Sequence, residues 1–390
     1  MNSLQDVVEE SHLPIGSVQQ VYDGALFPDI QARTFRHIDR LFPTRAVGCG
    51  NDPMLLPKGE PLGNFVFQSR GVDRDLYDYL ALNRVSGLLV LQDGRVRLEH
   101  YALGNTERTR WMSMSVAKSI TSTLVGVALR EGHIKSLDDA VTDYLPVLAG
   151  SAYDGVSVRH VLQMASGVAW NETYIDPSSD RRRMLELQTL QQPGAVLGLM
   201  ASLPRAAAPG TRWNYSTGET HVLGALLQAA IRRPLAHYLA EKIWLPCGME
   251  SAASWWLESP DGLEVGGSGL SATLRDYGRF GMFLASGGVV GTRRILPDGW
   301  LADASTPKVV GGVQVPYGYM LWPIDDPAVA AAVPGAAQPF EARGIFGQYI
   351  YMNPAERVVV IVWSAWPKPQ HKPTVEDDDF FAAVATALRG

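Results

Sequence analysis

Ser115 and Lys118 stand three residues apart in the run Trp111-Met112-Ser113-Met114-Ser115-Val116-Ala117-Lys118-Ser119-Ile120. Residues at that spacing share one face of a helix and can touch. A serine hydroxyl attacks a carbonyl poorly until a base takes its proton, and an amine three residues on is a candidate base. A helix N-terminus adds backbone N–H groups where negative charge develops. The bare pattern carries little weight, because with 25 serines and 7 lysines in the chain chance supplies roughly half a match. Ser305-Thr306-Pro307-Lys308 also fits, but its proline and the lack of an apolar helix behind it read as a loop or a strand approach. After Ser115, by contrast, Ile120, Leu124, Val127 and Ala128 recur at helical spacing, and Gly132 offers a C-cap. Few long polar side chains interrupt this helix before Arg130. It is expected to be buried on most sides, where a lysine loses its solvation.

Such a site needs a second proton-handling group. In Pro209-Gly210-Thr211-Arg212-Trp213-Asn214-Tyr215-Ser216-Thr217, Tyr215 falls on a loop just before a helix. A phenol beside an ammonium ionises more readily, and a lysine beside a phenolate keeps its proton, so the two are expected to titrate jointly. Together they could take the serine proton and return it to a leaving group. The chain has no His-Glu-x-x-His, no paired His/Cys spacing, no Gly-x-Ser-x-Gly and no glycine-rich phosphate loop. No metal and no cofactor are therefore expected, and His100, His160 and His221 read as structural or surface residues.

The elements that must position these groups can be read from pattern. Residues 75–83 read as a short helix. Ser86–Tyr101 reads as two strands around Asp93-Gly94, a strong hairpin signal. From Leu137 about 125 residues show helix patterns, turns and loops without convincing strands: a capped helix after Ser157, then Thr217–Arg232, Pro234–Trp244 and a helix opening at Ser271. Strands return over Tyr317–Trp322, Gly344–Met352 and Arg357–Trp363. A helix over Glu376–Leu388, with Thr374 as N-cap, closes the chain. Strands at both ends and a helical middle predict one sheet built from N- and C-terminal segments with an inserted helical lobe, a setting in which ligands bind between lobes. The expected organisation is an N-terminal extension over 1–64 and a main domain over 65–390. Within it, an α/β lobe takes 65–135 and 265–390, and an all-α lobe takes 136–264.

Composition narrows the partners. The chain has 390 residues, 46% hydrophobic and 19% charged, with net charge -6. That supports a large core and argues against nucleic acid or an anionic membrane surface as partner. Met1–Glu10 lacks a basic and then apolar leader, and no run reaches membrane-spanning length, so a cytoplasmic protein is expected. Cys49 and Cys247 are expected to be free thiols.

Taken in order, Ser115-Val116-Ala117-Lys118, Tyr215-Ser216-Thr217 and a glycine-bearing strand near the C-terminus resemble the serine β-lactamase and penicillin-recognising superfamily, in its class C and family VIII esterase branch. The likeness runs from about residue 70 to the end. Locally, Trp170–Ser179 and Gly344-Ile345-Phe346-Gly347-Gln348 resemble the 6-aminohexanoate-dimer hydrolases.

The resemblance implies a β-lactamase-like α/β fold, an antiparallel sheet flanked by helices with an inserted all-α lobe. It implies catalysis by Ser115, Lys118 and Tyr215 through an acyl-enzyme, with the N–H groups of Ser115 and Ile345 as oxyanion hole. Trp170, Tyr174, Trp213 and Phe346 are candidates to line an apolar substrate pocket, Arg343 to orient a substrate carboxylate, and Thr217 to meet a substrate amide. Arg181-Arg182-Arg183 reads as a solvated face. Three departures matter, one being that the 6-aminohexanoate-dimer hydrolases carry a tyrosine where Trp170 stands and a histidine where Phe346 stands and differ around Arg181. There is no Lys-Thr-Gly or Lys-Ser-Gly, the corresponding positions being Ala342-Arg343-Gly344, and the usual Tyr-x-Asn is Tyr215-Ser216-Thr217. The expected function is hydrolysis of a small carboxylic ester or linear amide, esters above amides. A β-lactamase or D-aminopeptidase-like amidase, an acyltransferase and a non-catalytic ligand-binding or sensor module stand as alternatives. Oligomeric state is left open.

Overall fold

A computed structural model describes residues 12–332 and 337–389; the leader reading over Met1–Glu10 lies outside these residues. The main sheet has six strands, in spatial order Trp322–Pro323, Phe340–Gly344, Gln348–Asn353, Val358–Ser364, Val85–Gln92 and Arg95–Tyr101. Every neighbouring pair is antiparallel. The C-terminal strand Val358–Ser364 lies directly on Val85–Gln92, with Val360 opposite Val90, so the two ends of the chain do build one sheet. Asp93 and Gly94 turn the first hairpin with φ of 53° and 73°, the left-handed pair that a tight two-residue turn requires.

Side chains of a strand alternate between faces, and here both faces are apolar because both are covered. Leu89, Leu91, Val359, Ile361 and Trp363 join the large core that holds the helix Val116–Arg130 and the helix Leu274–Ala285. Leu88, Val90, Val358, Val360 and Val362 pack instead with Phe380, Phe381 and Val384 of the C-terminal helix Asp377–Arg389. That helix starts at Asp377, so residue 376, not Thr374, holds its cap position.

Four expectations need correction. Residues before 65 are not an appendage. Val18, Val21, Tyr22, Phe35, Ile38 and Phe42 lie in the main core, and Thr44–Val47 is the edge of a second sheet ordered Thr44–Val47, Ala253–Trp256, Leu270–Ala272, Trp111–Met112. Their helices, Val18–Asp23 and Pro28–Arg36, are only six and nine residues long, and the Pro/Gly-rich passage that follows hides that they dock on the core. The helical region ends short of 264, because Ala253–Trp256 is a buried strand of that sheet; four residues buried on both faces do not alternate. Tyr317–Met320 is irregular, with strands on either side at Val313–Val315 and Trp322–Pro323. Gly344–Met352 is two strands around a turn at Ile345-Phe346-Gly347. The hairpin Val85–Tyr101 and the helices Leu76–Leu82, Val116–Arg130, Val158–Leu162 and Thr217–Ile231 lie where the pattern put them. Cys49 and Cys247 are free. Among the described residues no helix is long and apolar enough to cross a membrane.

The sheet and the C-terminal helix packed on it hold two buried carboxyls, Glu341 and Asp377. Burial pushes Glu341 up to about 8, against the pull of Arg343 beside it and with the help of Asp378. Burial likewise pushes Asp377 up to about 7, although Tyr79 and Tyr349 hydrogen-bond to it. Both groups hold protons in the folded chain that the unfolded chain has already lost, so their stabilisation is complete at acid pH. It is lost as pH rises from the ordinary carboxyl range through about 7 to 8. Thermal melting followed between pH 5 and pH 9 should show Tm falling with pH, and Glu341→Gln should flatten the fall. An unchanged slope in that variant would exclude Glu341 as its source.

Candidate active site

The second sheet delivers the nucleophile. Trp111-Met112 pairs with Leu270–Ala272, and beyond the strand both the N–H and the hydroxyl of Ser113 donate to the Leu270 carbonyl, each at 3.0 Å. Met114 then takes a left-handed conformation, φ 50°, uncommon for a side chain of its size, and the helix begins at Val116. Ser115 occupies the N-cap without using its hydroxyl to cap. The hydroxyl is left for chemistry.

Lys118 is 1% exposed. Its Nζ lies 2.9 Å from Ser115 Oγ, 3.0 Å from Thr217 Oγ1 and 2.9 Å from the Gly267 carbonyl oxygen. From Val116 to Ala128 every residue of the helix is buried, so bulk water does not reach the amine. Burial is the largest influence and pushes Lys118 down to about 7; Glu172 opposes the shift and Arg181 adds to it. Tyr215 lies on the other side of the amine, its ring centroid 5.1 Å from Nζ. Burial and then the charge of Glu172 push the phenol up, and a hydrogen bond with Ser115 pulls it part of the way back. The joint titration is therefore the reverse of the expected one. Desolvation disfavours both charged forms, so the neutral amine and the neutral phenol coexist near neutral pH. Lys118 can accept the serine proton, and Tyr215 can donate one.

Thr217, expected to meet substrate, is turned inward. Its hydroxyl sits between Lys118 and Glu172. The end of the strand Phe340–Gly344 closes the site from the sheet side. A Cβ on Gly344 would stand 2.4 Å from the Ser113 carbonyl oxygen, so only glycine lets this strand reach the segment before the nucleophile. Ile345 follows in the turn. Among the described residues neither the Ser115 nor the Ile345 N–H is engaged in a backbone hydrogen bond. Both donors stay available to a developing oxyanion.

Other candidate pocket residues divide. Tyr174 is buried, its ring 6.3 Å from Tyr22. Trp170 is buried too; its indole N–H donates to Glu172 and its ring packs at Gly218. Phe346 does not line the pocket. It is fully buried against Phe35, ring centroids 5.1 Å apart. Arg343 points along the sheet, its guanidinium on Glu341 and Asp378 and 5.4 Å from the Trp322 ring. Arg181 and Arg182 are not a solvated face, being 2% and 7% exposed. Arg181 lies 4.6 Å over the Tyr22 ring and donates to its hydroxyl, and Arg182 pairs with Asp23 at 2.7 Å.

Sequence reasoning missed Glu172, Tyr317 and Trp322. The Tyr317 ring stands 6.0 Å from Tyr215 and 4.8 Å from Trp322, and with Trp213 they form an aromatic wall. No periodicity marks a wall made by an irregular segment, whereas Glu172 was in view within the Trp170–Ser179 stretch and lacked only a partner.

The beta-lactamase family matches residues 80–383. The chain belongs to the beta-lactamase family. It is 27% identical over 352 residues to a 6-aminohexanoate-dimer hydrolase of Paenarthrobacter ureafaciens, covering 86% of this chain and 85% of that one. Among solved structures, a Bacillus anthracis protein provisionally assigned as a 6-aminohexanoate-dimer hydrolase superposes with TM-score 0.79 at 20% identity, over 97% of each chain. A family VIII carboxylesterase superposes with TM-score 0.57 at 17% identity, over 78% of this chain and 91% of that one. At those identities the superpositions establish the β-lactamase-like fold. The family to which the chain belongs is one of serine hydrolases, with esterases and amidases among its members.

Two outcomes follow from the geometry. Gly344→Ala should lower kcat/KM about a hundredfold, the scale of a misplacement of roughly 1 Å at a reacting centre; activity within threefold of wild type would show that the strand end tolerates a Cβ. If the reaction needs Lys118 unprotonated, kcat/KM should rise with pH through an inflection near 7. A rate still climbing at pH 9 would contradict it.

Proposed function

We propose that this chain is a serine hydrolase that cleaves small carboxylic esters, and linear amides less readily, through an acyl-enzyme on Ser115. The observation that carries the proposal is the buried amine of Lys118, 2.9 Å from the Ser115 hydroxyl and pushed down to about 7. Ser115 Oγ attacks the carbonyl carbon and its proton passes to Lys118. The N–H groups of Ser115 and Ile345 hold the tetrahedral oxyanion. Tyr215 donates its proton to the departing alcohol or amine and is reprotonated from Lys118. Water then attacks the acyl-enzyme, Lys118 again takes a proton, and the acid leaves as Ser115 regains its hydrogen.

The preference for esters rests on what stands around the nucleophile. Trp213 and Trp322, half-buried and backed by the buried Tyr317, offer apolar surface to an acyl or alcohol group. Arg343, the cation on the strand Phe340–Gly344, already has its guanidinium engaged by Glu341 and Asp378. Thr217, in place of the usual amide, is occupied by Lys118 and Glu172. Likeness to a 6-aminohexanoate-dimer hydrolase over most of both chains supports linear amides as the second class.

A fluorophosphonate probe should tag Ser115, and Ser115→Ala should abolish the tag; an untagged wild type would sink the proposal. With a short-chain nitrophenyl ester, a cephalosporin chromophore and the linear 6-aminohexanoate dimer side by side, the ester should turn over fastest. A cephalosporin preferred over the ester would reverse the substrate assignment.

A further inference from the structure

Lys118 has three oxygen neighbours, and in its neutral form it needs one of them to supply a proton and the others to accept. Ser115 Oγ must be the supplier if the serine is to be activated, which requires Thr217 Oγ1 and the Gly267 carbonyl to accept from the amine. A carbonyl can only accept. A hydroxyl carries one hydrogen and can do either, so Thr217 left alone could turn its O–H toward the amine and compete with Ser115 for the same lone pair. The structure removes that freedom. Thr217 Oγ1 lies 2.5 Å from Glu172 Oε1, and the Thr217 backbone N–H donates to Glu172 Oε2 at 2.8 Å. The Trp170 indole N–H donates to the same carboxylate oxygen. With two N–H donors on Oε2, one of them from the first residue of the helix Thr217–Ile231, the carboxylate is held with Oε1 turned to the Thr217 hydroxyl hydrogen.

We infer that Glu172 is a positioning residue that fixes the Thr217 hydroxyl as a hydrogen-bond acceptor toward Lys118, so that the amine's lone pair is kept for the Ser115 proton. An amide carbonyl at position 217 would accept without help; a hydroxyl there requires the carboxylate. The inference rests on the serine-hydrolase reading above and adds a role that the Ser115, Lys118 and Tyr215 trio does not contain.

The charge of Glu172 acts on the same amine. It raises Lys118 against burial and Arg181, which both lower it. Those two charges, with the Tyr215 ring facing Nζ from the loop side, are the groups that set its titration. Removing the negative charge should therefore move the acid limb of the reaction to lower pH while making each turnover less efficient. A residue that only supported folding would lower stability and leave the limb in place.

The test is the rate of fluorophosphonate labelling of Ser115 across pH, which needs the activated serine but no knowledge of the natural substrate. Thr217→Val should label about tenfold or more slowly than wild type, while Thr217→Ser restores most of the rate. Glu172→Gln should label more slowly at its plateau, with its acid limb moved down by about half a pH unit or more. In Thr217→Asn, whose carbonyl accepts unaided, adding Glu172→Gln should cost less than about threefold, a non-additivity that marks the two residues as one unit. Thermal melts of each variant separate loss of fold from loss of function. A Glu172→Gln enzyme that melts like wild type and keeps its plateau rate and acid limb would overturn the inference. So would Thr217→Val labelling at the wild-type rate. A wild type that is not labelled at all would instead overturn the hydrolase reading, and this role with it.

Discussion

The structure depends on the burial of one amine. Lys118 lies in a helix buried over thirteen consecutive residues, out of reach of the bulk solvent that would stabilise its charge. A shift from 10.5 to about 7 corresponds to on the order of 5 kcal/mol of preference for the neutral form. That is larger than the opposing pull of Glu172 and large enough to make a base of a residue that is ordinarily an acid. The same desolvation keeps Tyr215 protonated. One physical cause therefore sets both protonation states that acyl transfer needs.

The remainder of the fold supplies the burial and the aim. The small sheet carries Trp111-Met112 to the nucleophile, and its far edge is Thr44–Val47, so the chain's first segment stiffens the site from a distance. Tyr22, from the same segment, meets Arg181, which in turn influences Lys118 and Tyr215. From the sheet side, Gly344 brings a strand end against Ser113 and leaves the Ile345 N–H uncommitted. The three segments that meet at Lys118 come from positions near 115, 217 and 267. A hydrolytic centre of this kind is a property of the whole chain rather than of a motif.

What was legible in the sequence follows from how local the signal is. The helix after Ser115 and the hairpin at Asp93-Gly94 announce themselves through period and turn chemistry, the strand Val358–Ser364 through an unbroken β-branched run, and Ser115, Lys118 and Tyr215 through residue type and order. Ala253–Trp256 and Thr44–Val47 are too short to show a period, and they are strands because they pair with each other and, for Ala253–Trp256, with Leu270–Ala272. Arg181 and Arg182 look solvated in a run of three arginines; Tyr22 and Asp23, about 160 residues earlier in the chain, make their burial possible. Phe346 is a pocket candidate by residue type, but the turn that carries it aims successive side chains in different directions and its ring packs on Phe35. The desolvation of Lys118 is legible in the apolar helix behind it, but whether desolvation or pairing with Tyr215 prevails depends on packing, and here desolvation prevails for both groups.

The central claim is that Lys118 is substantially unprotonated at neutral pH, and nitrogen NMR of the lysine side chains reads this directly when Lys118 is assigned by its absence in Lys118→Met. The account predicts a titration midpoint near 7. A midpoint near the ordinary lysine value of 10.5 would mean that the amine stays charged beside Ser115, and the assignment of Lys118 as the base would be wrong.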